Sequence, residues 1–500
     1  MNRPALLRGE RSFWLALAVL ELLILAVAVR SPLVAVLMVA AFGVLAVLAP
    51  LIGTRKGTLR LGVALLVTIL VLPVDLSLQY RVPVGGGGIF IIDMLLALLV
   101  LSWVVQMLVE RRVALVRSPV TLPLVLFLLW VVVAALIGRL AGNDLKTILQ
   151  DVRGPAYFVL FVWVLSAVVS RDLIYLMLRV LAACLVAGFL IGVYYAALGQ
   201  GQQIGFVEAG VSRFPAPNEV FIMGVSLLAA FVVMWPPGRR RPWFLWALLV
   251  LSLVGMILAL VRGYWIGLVA GMAFLLLVSG AQQRLRLIGG GLLLLWVVLG
   301  SVALMSPTLF DSVVTRAVAV GAYANDTSVQ YRLIENRAVM RQIEAHPALG
   351  NGFGTSYLFD FSRYGVAPFQ KVYIHNNYLW FTQRMGLIGL GLFVWMMVAF
   401  LVSWRGLRGY FAEGDPYLVG LVVGSRVMIV SLLVVSISSP QFNVKGQVAV
   451  IAAIMGMAEV AGWLLRQDAE AGASEQDPAS ASPLGAGAPP GVSARSSGPG

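Results

Sequence analysis

The sequence predicts an all-α fold: a polytopic bundle of transmembrane helices with one large, partly helical loop outside the membrane. Three observations predict it. Of the 500 residues, 60% are hydrophobic and only 12% are charged. Apolar runs of about twenty residues, the length that crosses a bilayer, recur from end to end. Short basic loops separate those runs at alternating positions. A transmembrane β-barrel would show shorter segments of alternating polarity, which this chain lacks. The net charge of +14 fits arginines gathered in short inner loops better than a nucleic-acid surface, so no nucleic-acid partner is expected. Cys184 is the only cysteine, which rules out an internal disulfide and any cysteine-based metal site.

Taken in order, spans are predicted near 13–29, 33–52, 61–78, 89–109, 119–138, 155–170, 173–198, 218–235, 243–261, 263–279, 284–305, 375–403, 417–439 and 446–465. The first follows "MNRPALLRGERSFW" with no small-residue cleavage site after it, and reads as an uncleaved span rather than a signal peptide. With the N-terminus inside, the inner loops are "TRKGTLR", "ERRVALVR", "GRRRP", "QQRLR" and "WRGLRG". Each is short and basic, and the even span number returns the C-terminus to the cytoplasm. The glycine run "VGGGGIF" reads as a flexible outer loop without chemistry.

The organisation is therefore a transmembrane bundle over 1–305, an extracytoplasmic loop over 306–374, further spans over 375–466, and a disordered cytoplasmic tail over 467–500. That tail is rich in Ala, Gly, Ser and Pro and has too little apolar surface to order itself. In the outer loop, residues 329–345 suit a helix, with Val329, Leu333 and Met340 near one side. Pro347 ends it, and Gly350, Gly352 and Gly354 predict a flexible turn. Arg337 and Arg341 share a face of that helix, whereas Arg332 and Arg341 lie nearly opposite, so one ligand cannot take them all.

Cations on the outer side are the candidate functional groups, because the positive-inside rule disfavours them there. They are Arg153, Arg213, Arg262, Arg332 and His375. Arg262 sits in a very tight turn between two apolar runs, where a charge near hydrocarbon is costly; the alternative is that it merely snorkels to headgroups. Arginine binds phosphate through a planar fork and keeps its charge. Several converging at the membrane surface would hold a lipid diphosphate and stabilise negative charge on it as a leaving group. His375 opens the stretch "HNNYLWFTQRMGLIGLG". At a helix N-terminus a neutral ring is favoured, and such a ring can take a proton from a sugar hydroxyl. The alternative is a helix cap, a role open to Asn376 or Asn377 as well. His346, before Pro347, reads as structural. No metal-ligand spacing, P-loop or dinucleotide fingerprint is present, so neither a metal nor another cofactor is implied. Glu21, Arg426 and Glu459 fall within predicted spans, where they mark a transport path or pair with one another.

Together "RFPAPNEVF", "LVRGYWIG", "HPALGNGFG" and "HNNYLWFTQRMGLIGLG" resemble the O-antigen ligase/polymerase superfamily of bacterial membrane glycosyltransferases. The resemblance covers about Arg213 to Gly391. It implies an enzyme of the inner (plasma) membrane acting on the outer side. The implied donor is a glycan on undecaprenyl diphosphate, and the acceptor a hydroxyl of lipid A core, of another glycan or of a protein. The reaction it implies is metal-independent and inverting. Carried over residue by residue, His375 is the base, and Arg262 and Arg332 hold the diphosphate. Arg213 and Asn218 take substrate-binding roles, and Asn376 completes the His-Asn motif. The turn reads Val261-Arg262-Gly263 where Ser-Arg-Gly is usual, and Glu219-Val220-Phe221 follows Asn218 without the usual alanine. These departures, with about fourteen spans, favour a polymerase or an exopolysaccharide enzyme over a ligase. The competing class is a transporter or flippase for lipid-linked sugar, supported only by Arg426 and Glu459 and lacking an internal repeat.

Overall fold

The structure, a computed structural model, describes residues 55–71, 81–84, 87–111, 115–199, 202–203, 212–214, 218–318 and 327–476. The spans expected at 13–29 and 33–52, Glu21 with them, and the chain beyond 476 lie outside the described residues. The described part is helical almost throughout, an all-α polytopic bundle.

Helix α1 (Arg55–Val71) is followed by a short hairpin, β1 (Arg81–Val84) and β2 (Gly87–Phe90). Gly87 and Gly88 are thus paired strand, with Arg81 opposite Phe90, where a flexible loop was expected; Gly85 and Gly86 lie outside the described residues. Glycine-rich backbone can still pair when its partner supplies the ladder. Then come α2 (Ile91–Glu110), α3 (Thr121–Leu140), α4 (Leu145–Ala156), α5 (Val159–Ala167) and α6 (Arg171–Ala197). A two-residue ribbon, β3 (Gln202–Gln203) with β4 (Ser212–Arg213), leads into α7 (Glu219–Met234), α8 (Trp243–Leu258), α9 (Arg262–Val278) and α10 (Ala281–Met305). The stretch between the apolar helices α10 and α13 contains α11 (Pro307–Val318), α12 (Thr327–Ala345) and the ribbon β5 (Tyr357–Phe361) with β6 (Val366–Lys371). Helices α13 (Asn377–Val402), α14 (Pro416–Val435) and α15 (Lys445–Gln476) complete it.

Eight helical segments among the described residues are long and apolar enough to cross a membrane, and α7, α8 and α9 are shorter apolar helices. Each of these long or shorter apolar segments overlaps a predicted span, because hydrocarbon thickness fixes span length whatever the packing. The predicted 155–170 span is the second half of one 23-residue segment, Leu145–Ala167. Pro155 lies inside α4, and removing its donor breaks the helix at Tyr157–Phe158. The expected tail boundary at 467 is corrected: α15 continues to Gln476, and Arg171 pairs with Asp468. An existing helix needs no new nucleus, so "QDAEAGASEQ" extends it without an apolar face.

Helices α14 and α15 are the centre of the bundle, with 83% and 89% of their apolar windows buried, against 6% for α10 at the rim. Small residues allow the close approaches. Added Cβ atoms at Gly267 and Gly271 of α9 would fall within 2.4 Å of Val435 and 2.0 Å of Ser431 on α14. This is the small-residue packing that replaces the hydrophobic effect between helices in lipid. Inside the core, Arg426 of α14 meets Glu459 of α15 at 2.5 Å. These two charges pair with one another, one of the two alternatives for them.

Candidate functional site at the end of the bundle

The site is assembled around a break in α13. Gly386 has φ +66°, ψ −174°, a conformation that L side chains rarely adopt. The break frees backbone groups that hydrocarbon cannot satisfy. The "HPALGNGFG" segment satisfies them. Leu387 N–H donates to Pro347 C=O at 2.8 Å and Ile388 N–H to Ala348 C=O at 3.3 Å. On the other side of the break, Asn351 N–H donates to Gln383 C=O (2.7 Å) and Gly352 N–H to Arg384 C=O (3.1 Å). Trp130 Nε1–H closes on Met385 C=O at 2.8 Å. Gly352, at φ +78°, lies against α3, where a Cβ would come within 2.1 Å of Gly138 N. The expected flexible turn is therefore corrected to a packed clamp. Arg384, fully buried, locks it: Nε donates to Asp151 (2.8 Å) and Nη2 to Val372 C=O (2.7 Å). Asp151 also accepts from Gly354 N–H at 2.9 Å.

This clamp fixes the short helix that begins after His375. Asn376 is its N-cap: Oδ1 accepts from Tyr378 N–H (2.9 Å) and Leu379 N–H (3.2 Å). The capping role thus falls to Asn376, and its side-chain oxygen is committed to it. Asn377 Oδ1 instead accepts from Phe442 N–H (2.9 Å) and Gln441 N–H, tying α13 to the loop between α14 and α15. His375 is released from capping. Its Nδ1 lies 2.9 and 3.2 Å from the two carboxylate oxygens of Glu335, and its backbone N–H donates to Oε2 at 2.8 Å. Its side chain retains 26% exposure while that of Glu335 has none.

Glu335 is the group missed in the sequence. Besides His375 it accepts from Tyr357 Oη (2.9 Å) and from Lys371 Nζ. Burial alone would raise its pKa, but the hydrogen bonds and charge of His375, then the Lys371 bond, override that and hold it at about 2. The side of α12 that carries Leu333 and Met340 is not its buried one. Leu333 and Met340 are 42% and 44% exposed, whereas Glu335, Val339 and Ile343 form the buried stripe. Their i, i+4, i+8 spacing, a carboxylate in line with two apolar residues, is the signal that would have found Glu335. Lys371 Nζ sits over the rings of Tyr331 (4.5 Å) and Phe359 (4.9 Å), a cation–π setting that anchors it.

Arg332 lies one turn before Glu335 on α12. Its Nε donates to Ser438 C=O at 3.0 Å and Nη1 to Ser328 Oγ at 2.7 Å. Ser438 also borders the start of α9: a Cβ on Gly263 would come within 3.1 Å of its Oγ. The Arg262 turn is made by Leu260 in a left-handed conformation, φ +52°. Phe214 N–H donates to Leu258 C=O at 3.3 Å, so the segment carrying Arg213 runs beside that turn. The Arg213 side chain lies outside the described residues. Asn218 precedes α7 without capping it, and its buried Oδ1 has no hydrogen-bond partner among the described residues. Arg153 pairs with Asp93 at 3.1 Å and lies over Phe90 at 4.9 Å, partners on the α2 side. Arg337, Arg341 and His346 are exposed. The arrangement thus gathers Arg262, Arg332, His375 and the Arg213 segment at one end. Among the described residues no three His, Cys, Asp or Glu side chains could hold a metal ion.

A protein-family model described as O-antigen ligase matches residues 247–394. The matched stretch runs from α8 through the break in α13 and contains Arg262, Arg332 and His375; Arg153, Arg213 and Asn218 precede it. The O-antigen ligase/polymerase resemblance is supported over this stretch. The apolar helices describe a multi-pass membrane protein, and over residues 247–394 it is similar to O-antigen ligases. Among curated proteins no match was found.

Proposed function

We propose that this chain is a glycosyltransferase of the outer face of the bacterial inner membrane, with both termini cytoplasmic. It moves a glycan from undecaprenyl diphosphate to an acceptor hydroxyl, as an O-antigen or exopolysaccharide polymerase or an O-antigen ligase does, without a metal and with inversion. One observation carries the reading: His375 has its Nδ1 engaged and its flank exposed, at the same end as Arg332, the Arg262 turn and the Arg213 segment. In the reaction, His375 Nε2 takes the acceptor hydroxyl proton. The acceptor oxygen bonds the anomeric carbon from the face opposite the leaving group, and the carbon–oxygen bond to diphosphate breaks. The electron pair leaves with the diphosphate, whose charge Arg262 and Arg332 hold through bidentate contacts. Asn218 Oδ1 is free to accept from a substrate hydroxyl.

Substitution tests this reading. His375→Ala and Arg262→Ala should each abolish polymerised or ligated glycan while the protein still inserts and folds. Wild-type product from both variants would overturn the mechanism.

A further inference from the structure

We propose that Glu335 is the positioning residue of this site, holding His375 as the Nδ1–H tautomer with Nε2 turned to the acceptor, and that Lys371 sets how strongly it does so. The inference rests on the reading of His375 as the base. Its basis is the donor arrangement around one carboxylate. The His375 backbone N–H, Lys371 and Tyr357 all direct hydrogens into Glu335. A carboxylate so surrounded has only acceptor capacity left, and Nδ1, at 2.9 Å from Oε2, must therefore carry the proton. In a neutral ring the other nitrogen then has the lone pair. Among the described residues no hydrogen bond engages Nε2.

The placement of the cluster adds to this. Glu335 and Arg332 are one turn apart on α12, so one rigid helix delivers both the leaving-group cation and the orienting anion. Tyr331 and Tyr373 stand edge-on to the His375 ring, with centroids at 5.9 and 4.9 Å, and limit its rotation. When His375 takes a proton, Glu335 faces two cations. A lone carboxylate would grip the imidazolium and slow its release. Lys371, already bonded to Oε1, moderates that grip. Among the described residues the remaining charges near the pair are Arg332 and Glu219, which act on Tyr373, and Arg384, which acts on Tyr357; none is altered in the variants below.

The chain has two histidines, so histidine-selective ¹⁵N labelling gives two imidazole spin systems, assigned with His346→Gln. The measurement uses the full-length protein in detergent or nanodiscs and needs no substrate. Wild-type neutral His375 should show a protonated Nδ1 and a bare Nε2, and Glu335→Gln should move population to the Nε2–H form. In kinetics the two variants should act in opposite directions. Loss of the anion in Glu335→Gln weakens the base, so the acid limb of the kcat/KM profile moves to lower pH by about one unit. Loss of the cation in Lys371→Met strengthens it, and the limb moves up by a similar amount. Glu335→Asp should restore part of kcat. A merely structural role would move both limbs alike or not at all. A wild-type Nε2–H tautomer, or limbs moving together, would overturn the inference, and the wild-type spectrum decides even if Glu335→Gln fails to fold. Failure of the glycosyltransferase reading shows differently, as absence of transfer by wild-type protein whatever the tautomer.

Discussion

Two of the buried carboxylates that meet cations among the described residues, Glu459 and Glu335, are finished in different ways. Glu459, between α14 and α15, is closed on every side. Oε1 accepts from Arg426 (2.5 Å) and Ser403 (2.7 Å), Oε2 from Ser118 (2.8 Å), and Phe400 covers the guanidinium at 4.1 Å. Glu335, on α12, is fully buried, but one of its partners, His375, has a second nitrogen directed away from it. The first cluster ends in itself; the second passes its charge to an exposed edge. A transport path needs intramembrane charges that can change partners, and the Arg426–Glu459 pair is built to stay paired. The difference supports the proposed chemistry at the loop end over a path along the membrane interior.

Breaking each cluster should give different losses. The largest effect is expected from His375→Ala, which removes the base: turnover should fall by about 10²- to 10⁴-fold with an unchanged melting temperature, read by transfer assays beside thermal unfolding. Glu459→Ala should do the reverse. It strands Arg426 in the core and should cost about 3–5 kcal/mol of stability. In the double variant Arg426→Met with Glu459→Leu, much of that loss should return, because neither charge is then left unpaired.

Gly352→Ala sharpens the comparison from the scaffold side. Its φ of +78° and the 2.1 Å approach to Gly138 N leave no room for a methyl group. The substitution should open the clamp and lower kcat by misplacing α13. Hydrogen exchange should show lost protection at Leu387 and Ile388, whose N–H groups the clamp satisfies.

The smallest effect is that of pH. The pKa of Glu335 is depressed in the fold, from 4.5 to about 2. Its contribution is therefore fully present above about 4.5 and is lost as pH falls towards about 2. Protection of α12 in hydrogen exchange should decline over that window, and Glu335→Gln should flatten the decline.

How much of this was legible follows from which forces are local. The spans were readable because each satisfies its own backbone and must match the bilayer alone. Arg262, Arg332 and His375 stood out as candidates because charge on the expected outer side is anomalous by itself. Glu335 was not, since its meaning lies forty residues away at His375, and hydropathy assigns a carboxylate to the solvent face. The role of the glycines was half legible: their number marks a turn, but only contact with Gly138 and the broken α13 shows a clamp. The ion pair of Arg153 with Asp93 depends on two helices meeting, which no local pattern encodes.

The most direct test of the central claim is the envelope glycan of a deletion strain complemented with His375→Ala or with wild-type protein. With His375→Ala, the account predicts unextended repeat units on lipid for a polymerase, or full-length polymer stranded on undecaprenyl diphosphate for a ligase, with wild-type protein restoring the normal product. Normal surface glycan from His375→Ala at wild-type expression would contradict it.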